Sequence, residues 1–381
     1  MQFEIEIEKY VPPGDGLGYY QGKTVFVPAT AVGDIVRVTS IKEKKQFIIA
    51  GLDQVIKASE QRIEAPCPHY DRCGGCSLMH LSMEDQVELK IHMLREILDD
   101  HHLLVEPGFV PCPSSFHFRY RTQLKCSRGI VGFSAKNSNE VVEITSCKIL
   151  SHGILDQIDV VKRLGRMNCD FYFLESSSNG QLALTVADGN NPEPLPGFSS
   201  SLVENYGFGE MQLHSDGFAQ SNPFVTKLVI DDFLKQITPD SQVCELYAGC
   251  GTFSLPIAQK AKKLVGFEIN KKAVKTAEGN STLNNLDNTK FICANLEKPI
   301  TLPRVDTIVT DPPRKGLNRS LIKAMDQSEA AQIFYISCNP ATLARDASIL
   351  TKEYHFSLKS LTAYDMYCHS THQECLAVFV R

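Results

Sequence analysis

QVCELYAGCGTFSLPIAQKAKKLVGFEI, residues 242–269, reads as a strand, a glycine loop, a helix and a second strand. The two apolar runs are short and bounded by turn residues, and the segment between them has helical character. The same alternation continues. TKFICA (289–294), RVDTIVTD (304–311) and QIFYIS (332–337) are further short apolar runs, and KKAVKTAEGNSTLNN (271–285) is helical. Strands alternating with helices imply a doubly wound parallel sheet, an α/β Rossmann-like domain. In such sheets a ligand sits outside the carboxyl ends of the strands.

The first strand runs into Tyr247-Ala-Gly249-Cys-Gly251. Paired glycines let backbone approach a ligand closely. A dinucleotide fingerprint wants a third Gly or Ala, and Ser254 stands there instead. Glu268 ends the next strand, 17 residues after Gly251, where a carboxylate can accept from both hydroxyls of a ribose. An acid on strand two without phosphate machinery suits S-adenosylmethionine better than NAD. The fourth strand ends in Asp311-Pro-Pro-Arg314. Amino-group methyltransferases often place an aromatic residue after such a Pro-Pro, so Arg314 argues against amine methylation.

FYISCNPATLARD (334–346) puts Cys338 at the end of another strand, just before a helix start. Carbon methylation gives a thiol there a purpose. C5 of a uracil is a poor nucleophile until a thiolate adds to C6. A base must then remove the C5 proton, after which the cysteine is eliminated. A neighbouring helix N-terminus is expected to lower the thiol pKa. Glu374, which opens the last apolar run, is the candidate base, and His369 and His372 lie nearby without a third metal ligand. Cytosine C5 methylation would use the same logic.

Residues 1–57 show short alternating strands with Gly14, Gly16, Gly18 and Gly33 at expected corners, the pattern of a small β-barrel. Residues 58–210 hold a cysteine-rich loop, a helix over 84–100 with Val87, Ile91, Leu94 and Leu98 on one face, and a mainly antiparallel β unit. Residues 211–381 form the expected methyltransferase domain. With 43% hydrophobic and 22% charged residues and a net charge of −5, the chain has the composition of a soluble globular protein. No membrane association is expected, because no run of about 18 apolar residues occurs. MQFEIEIEKY lacks the features of a signal peptide, so a cytoplasmic location is the expectation. The net charge gives no global signal for nucleic acid. Arg119, Arg121, Lys125 and Arg128, with no acid among them, form a local basic stripe, and Arg314, Lys315 and Arg319 a second. A monomer is expected, since nothing points to a dimer.

Thirteen cysteines without a secretory signal raise metal binding or catalysis rather than disulfides. Cys126, Cys169, Cys244 and Cys293 lie in apolar runs and read as core residues. Cys67, Cys73 and Cys76 are close in sequence, and Cys147 follows 71 residues later. Four thiolates fit tetrahedral zinc or an iron–sulfur cluster, and spacing leaves both open. Cys112, in a Pro-Cys-Pro loop, ranks below Cys147.

FAQSN (218–222), ELYAGCGTFSLPIA, GFEIN, DPPRKG, YISCNPATLARD and the terminal His-x-Glu together resemble the RNA (uracil-5-)-methyltransferase family over nearly the whole chain. The resemblance implies that Cys338 is the nucleophile and Glu374 the base. It implies that Gln220, Tyr247, Gly249, Gly251, Glu268 and Asp311 contact S-adenosylmethionine. Phe218 would lie near the target base, and Arg119 matches a basic residue of the central domain. Members with this cysteine spacing carry a [4Fe-4S] cluster, which would be held by Cys67, Cys73, Cys76 and Cys147. The N-terminal barrel resembles a TRAM domain, an RNA-binding module. Barrel plus cluster implies the branch acting on 23S rRNA. The alternatives are tRNA, or a non-catalytic RNA-binding factor in ribosome assembly. Tyr367-Cys368 and Ser370-Thr371 depart from the Phe-Pro and Thr-Gly usual in the family.

Overall fold

The computed structural model describes all residues except Pro13, Asn137, Arg166, Met167 and Asn190. Three large sheets follow one another along the chain.

The first has six strands in the order Gln2–Glu6, Ile35–Glu43, Phe47–Lys57, Lys23–Val27, Asp15–Tyr20, Lys9–Val11. Alternation along QFEIE puts Phe3 and Ile5 inside with Val25, Val36, Val38 and Ile48, while the intervening acids face solvent. Only Gly14 and Gly33 among the four expected corners have left-handed φ, at +112° and +87°. Gly16 and Gly18 lie within a strand, where close approach excludes a side chain. A Cβ at Gly18 would come 2.2 Å from the Glu6 carbonyl oxygen.

The second sheet is antiparallel: Val141–Glu143, Ile130–Ser134, Arg121–Ser127, Asn168–Glu175, Leu182–Ala187, Glu193–Pro194. Two short helices, His152–Asp156 and Ile158–Arg163, cover it, with Ile154, Ile158 and Val161 buried against Phe171 and Phe173. The strand-like sequence pattern gave no sign of them.

The third sheet has eight strands. Thr289–Cys293, Lys263–Glu268, Gln242–Leu246, Thr307–Thr310 and Gln332–Ser337 run parallel, as the alternation predicts. The order reverses between Gln242–Leu246 and Thr307–Thr310, which opens a crevice at their carboxyl ends. Glu374–Val380 is antiparallel to Gln332–Ser337 and is followed by Ser357–Tyr364. The outermost strand is Gly108–Val110, parallel to Ser357–Tyr364. A segment assigned from sequence to the central unit therefore pairs with the catalytic sheet.

The helix Met83–Asp100 shows why. Ser82 caps it by accepting from Asp85 N. Leu94 and Leu98 enter the core beneath the third sheet, beside Leu343 and Leu350 of the helix Pro340–Glu353. The buried face also contains Gln86, Leu89, Lys90 and Met93, whereas Val87 and Ile91 are only half-buried. An apolar count could not find this face, because two of its members are polar. Lys90 Nζ donates to Asp365 Oδ1 at 2.5 Å and to Tyr367 O at 3.2 Å, with both charged side chains shut off from solvent. Cys126, Cys169 and Cys244 are buried as expected, but Cys293 is exposed at the end of an edge strand, where its Sγ donates to Ile269 O at 3.4 Å. Among the described residues, no helix is long and apolar enough to cross a membrane.

Removing one partner of a buried ion pair leaves a charge without compensation. Lys90→Met is expected to cost about 3–5 kcal/mol of stability, and Lys90→Met with Asp365→Leu much less. Urea unfolding of both variants measures the difference. Equal losses would mean that packing, not charge, dominates there.

Candidate active site

A cleft of about 1600 Å³ opens at the carboxyl ends of the parallel strands. Phe218, Gln220, Tyr247, Gly249, Glu268, Asp311, Cys338 and Glu374 all line it. Residues far apart in sequence thus meet around one space.

One end is built from the first two strands. Tyr247 follows Gln242–Leu246 with φ +63°, a costly conformation for a non-glycine residue. Its hydroxyl is buried with no partner among the described residues. Gly249 has φ +55°, and a Cβ there would meet nothing within 4 Å, so the loop faces open space. Glu268 Oε2 accepts from Gly249 N at 3.1 Å and Oε1 from Asn270 N at 2.8 Å. The two backbone donors fix the carboxylate while leaving a free lone pair on each oxygen. Ile269, Asn270 and Asn295 also line this end. Sequence reading did not name them, although their places just past strand ends were a usable signal.

Phe218 and Gln220 enter from a loop across the cleft. Arg121 holds that loop: its Nε and Nη2 donate to Gly217 O at 3.1 and 2.7 Å. Tyr120 N donates to Ser221 O at 2.8 Å, and Asn222 caps the helix Pro223–Gln236. Phe218 is consequently 69% exposed at the cleft mouth, while Gln220 is buried. The basic stripe inferred from sequence is thereby divided. Arg121 is spent on the loop, and burial lowers its pKa. Arg119 is half-buried with its guanidinium 5.7 Å from the Phe133 ring centre, and it is not part of the cleft lining.

At the other end, Cys338 follows Gln332–Ser337 and Glu374 begins the neighbouring strand. The loop Asp311–Leu317 forms the wall between. Asn339 Nδ2 and Thr342 Oγ1 both donate to Arg314 O, at 2.8 and 3.1 Å. Arg345 Nη2 donates to Lys315 O at 2.9 Å and Leu317 O at 3.2 Å. Buried Asp346 accepts at Oδ2 from Leu317 N at 2.7 Å and from the Tyr335 hydroxyl at 2.8 Å. Four positions of NPATLARD therefore hold this wall directly or through each other.

The electrostatics differ from the sequence expectation. The Cys338 thiol is pushed up, first by burial and then by Glu374 and Asp311, against a smaller opposing effect of Arg314. Asn339, the next residue, caps the helix, its side chain accepting from Ala341 N. Burial, then Asp311, raises Glu374 well above the carboxylate range. Burial pushes Asp311 up to about 7. A desolvated set of acids and a thiol cannot carry several negative charges together.

A second, smaller pocket is lined by Cys67, Cys73, Cys76 and Cys147, with Tyr70, Met79 and Phe133 around them. No group of three or more His, Cys, Asp or Glu among the described residues is close enough to bind one metal ion. Cys112 does not line this pocket.

Over residues 209–381 the chain matches the family described as tRNA (Uracil-5-)-methyltransferase, and over residues 4–60 the TRAM domain of tRNA (uracil(54)-C(5))-methyltransferase. It is 30% identical to the 23S rRNA (uracil(1939)-C(5))-methyltransferase RlmD of Shewanella amazonensis, an alignment covering 98% of this chain and 95% of that one. The chain belongs to the RNA (uracil-5-)-methyltransferase family, enzymes that use S-adenosylmethionine. An uncharacterized RNA methyltransferase of Aquifex aeolicus is 29% identical over 98% of this chain and 97% of its own. The fold is that of Pyrococcus abyssi tRNA (uracil-54, C5)-methyltransferase in complex with S-adenosyl-L-homocysteine, with a TM-score of 0.79, 22% identity, and coverage of 99% of this chain and 100% of that one. For this methyltransferase, the open glycine loop, the oriented acceptor Glu268 and the unpartnered Tyr247 hydroxyl are a set of groups that fits a nucleoside cofactor.

The raised carboxyls give a pH dependence. Below about pH 7 Asp311 holds its proton, and a sulfonium bound beside it would prefer the ionised form. Cofactor affinity is therefore expected to rise with pH, approaching tenfold per unit below about 7, and to level off above it. S-adenosylhomocysteine, which lacks the sulfonium, should show a flatter profile, as should Asp311→Asn with either ligand. Calorimetric titrations at several pH values measure this. Parallel profiles for the two ligands would remove Asp311 from the cation's surroundings.

Proposed function

We propose that this protein methylates C5 of a specific uridine in 23S rRNA through a covalent adduct of Cys338. The convergence of Cys338 and Glu374 on one desolvated cleft with an exposed aromatic residue at its mouth carries the reading. A uridine leaves its stack and enters the cleft, where Phe218 offers a face for the base. Cys338 adds to C6, which makes C5 nucleophilic. S-adenosylmethionine supplies the methyl group in an electrophilic form. Glu374 removes the C5 proton, and Cys338 is expelled. Tyr247, Glu268 and Gln220 orient the cofactor, with Gly249 on its floor, Gly251 outside the cleft lining with φ +95° in the turn beneath it, and Asp311 beside it. Arg119 is assigned a role in holding RNA outside the cleft.

We assign Cys67, Cys73, Cys76 and Cys147 to a [4Fe-4S] cluster. Four thiols lining one pocket are the ligand set that such a cluster needs. The assignment goes with a three-part organisation, 1–57, 58–210 and 211–381, in which the barrel and the central unit hold RNA.

The 23S rRNA assignment rests on the substrate named for full-length relatives. The matched family descriptions name tRNA, which makes tRNA the second reading. Labelled S-adenosylmethionine offered with unmodified 23S rRNA and with unmodified tRNA, followed by nucleoside analysis, separates them. 5-Methyluridine in rRNA alone is expected. Label in tRNA alone would keep the chemistry and replace the substrate, and 5-methylcytidine would replace the base. Cofactor binding without transfer to either RNA would favour an assembly factor.

Cys338→Ala is expected to lower transfer by more than about 10³-fold while leaving cofactor affinity within a few-fold. Glu374→Gln should instead accumulate an RNA–protein adduct that survives denaturing electrophoresis. Normal turnover of the alanine variant would end the covalent scheme. Protein prepared without oxygen is expected to be brown and to contain iron and sulfide, and Cys147→Ser to lose most of both. A colourless preparation holding zinc would replace the cluster assignment.

A further inference from the structure

A further hollow, of about 520 Å³, lies between the end of the helix Met83–Asp100 and the helix Pro340–Glu353. Ser348 Oγ joins the two by donating to His101 O at 3.1 Å. Buried Leu317 and half-buried Ile349 give the hollow an apolar lining. Around it stand Arg319, Arg345, Lys352, His101 and His102, against a single acid, Asp100.

These cations keep free donors. Arg345 gives Nε to Asp346 Oδ1 at 2.8 Å and Nη2 to Lys315 O and Leu317 O, which leaves Nη1. Arg319 gives Nη1 to the Glu353 carboxylate at 3.0 and 2.8 Å, which leaves Nε and Nη2. Lys352 Nζ and the two histidine rings have no hydrogen-bond partner among the described residues. Arg319, Arg345, Lys352 and His102 are exposed, so the hollow is open to solvent. Like charges gathered around one space repel, and an anion between them relieves the repulsion.

The hollow also adjoins the cleft. One loop lines both: Arg314 and Lys315 on the cleft side, Leu317 and Arg319 on the other. The second basic stripe of the sequence therefore crosses the crest between the two spaces, and Arg345 and Lys352 continue it. From Lys315 to Arg319 the chain spans at most about 14 Å. That is a few nucleotide steps at about 3.4 Å each.

We propose that this hollow binds a backbone phosphate of the RNA strand, a few nucleotides from the uridine that enters the cleft. The guanidinium groups of Arg319 and Arg345 match phosphate oxygens in geometry, and Lys352 adds a point charge. An open site rimmed by cations suits a chain passing through it better than an enclosed small molecule. Such a contact carries no sequence information but sets register, and so helps decide which nucleotide reaches Cys338. Arg345 also grips the cleft wall, which places the phosphate and the wall on one side chain. The inference rests on RNA as the substrate class and not on which RNA it is.

The test measures binding of unmodified 23S rRNA and unmodified tRNA to the whole protein at several salt concentrations. S-adenosylhomocysteine is present, so that nothing turns over. Lys352→Ala is expected to weaken binding of the substrate RNA roughly three- to tenfold and to reduce the log–log salt slope by about 0.7, the loss of one phosphate contact to a single strand. Lys352→Glu should weaken it further. Lys263→Ala, at the amino end of the strand Lys263–Glu268, makes the same change in net charge and should leave both quantities unchanged. Ethylation interference should show one phosphate near the target uridine whose modification hinders the unsubstituted protein but not Lys352→Ala. Equal affinity and slope for the unsubstituted protein and Lys352→Glu would overturn the proposal and leave the functional reading intact. So would equal losses for Lys352→Ala and Lys263→Ala. Inorganic phosphate is titrated separately. Phosphate binding that Lys352→Glu removes, with RNA binding unchanged, would make the hollow a site for a free anion and overturn the proposal. An unsubstituted protein that binds neither RNA would bring down the functional reading together with this one.

Discussion

The ion pair between Lys90 and Asp365, 2.5 Å long and closed to solvent, is the contact on which the catalytic end of the molecule depends. Such a pair adds little net stability, because desolvation offsets most of the attraction. Its effect is on geometry. Asp365 begins the loop that ends at Glu374, and almost every neighbouring element holds that loop. Gln86 accepts from His369 N at 3.0 Å, Ser77 N and Leu78 N donate to His369 O at 2.8 and 2.9 Å, and the His369 ring meets Ser115 O at 2.9 Å. Lys90 donates to both Asp365 and Tyr367 O, so the helix is fixed against the start of this loop. The cysteine-rich loop is thereby tied, through two backbone hydrogen bonds to His369, to the segment that carries Glu374, the proposed base.

A second constraint acts from the opposite side of the cleft. Arg345 and Asp346 do not line it, yet they grip the loop that does. Gly316 has φ +74°, and a Cβ there would come 2.5 Å from Asp346 Oδ2. The wall can pack this tightly only with glycine at that position. Residues 339–346 therefore serve the site by carrying Cys338 at one end and fixing the wall opposite it at the other.

The architecture of residues 242–380 was legible because a parallel sheet writes itself as separated apolar runs. The site positions were legible for the same reason: Tyr247, Glu268, Asp311 and Cys338 all stand at the ends of such runs. What sequence could not disclose was the cost or use of buried polarity. Lys90 and Gln86 occupy a buried helix face that hydrophobic periodicity assigns elsewhere. Arg121 looks like a surface cation until its guanidinium is found on Gly217 O. Gly108–Val110 is too short and too distant in sequence to reveal that it completes the third sheet. Each of these depends on a partner more than 90 residues away, and local pattern carries no information about such partners.

The thiol shows most clearly how tertiary context reverses a local rule. A cysteine beside a helix N-terminus should be acidic, but burial, and then the carboxyls of Glu374 and Asp311, push this one up. The cleft therefore favours protonated groups: burial raises Asp311, burial and then Asp311 raise Glu374, and burial followed by Glu374 and Asp311 raises Cys338. Such a site is poorly disposed to react with stray electrophiles. A bound cation changes the balance, since a positive charge in a desolvated cleft stabilises every anion around it. In the scheme proposed above, the sulfonium that brings the methyl group would then also be the charge that lets Cys338 and Glu374 ionise. On this reasoning, activation of the proposed nucleophile is coupled to the presence of the methyl donor, and burial, which opposes each charge singly, makes their coupling strong.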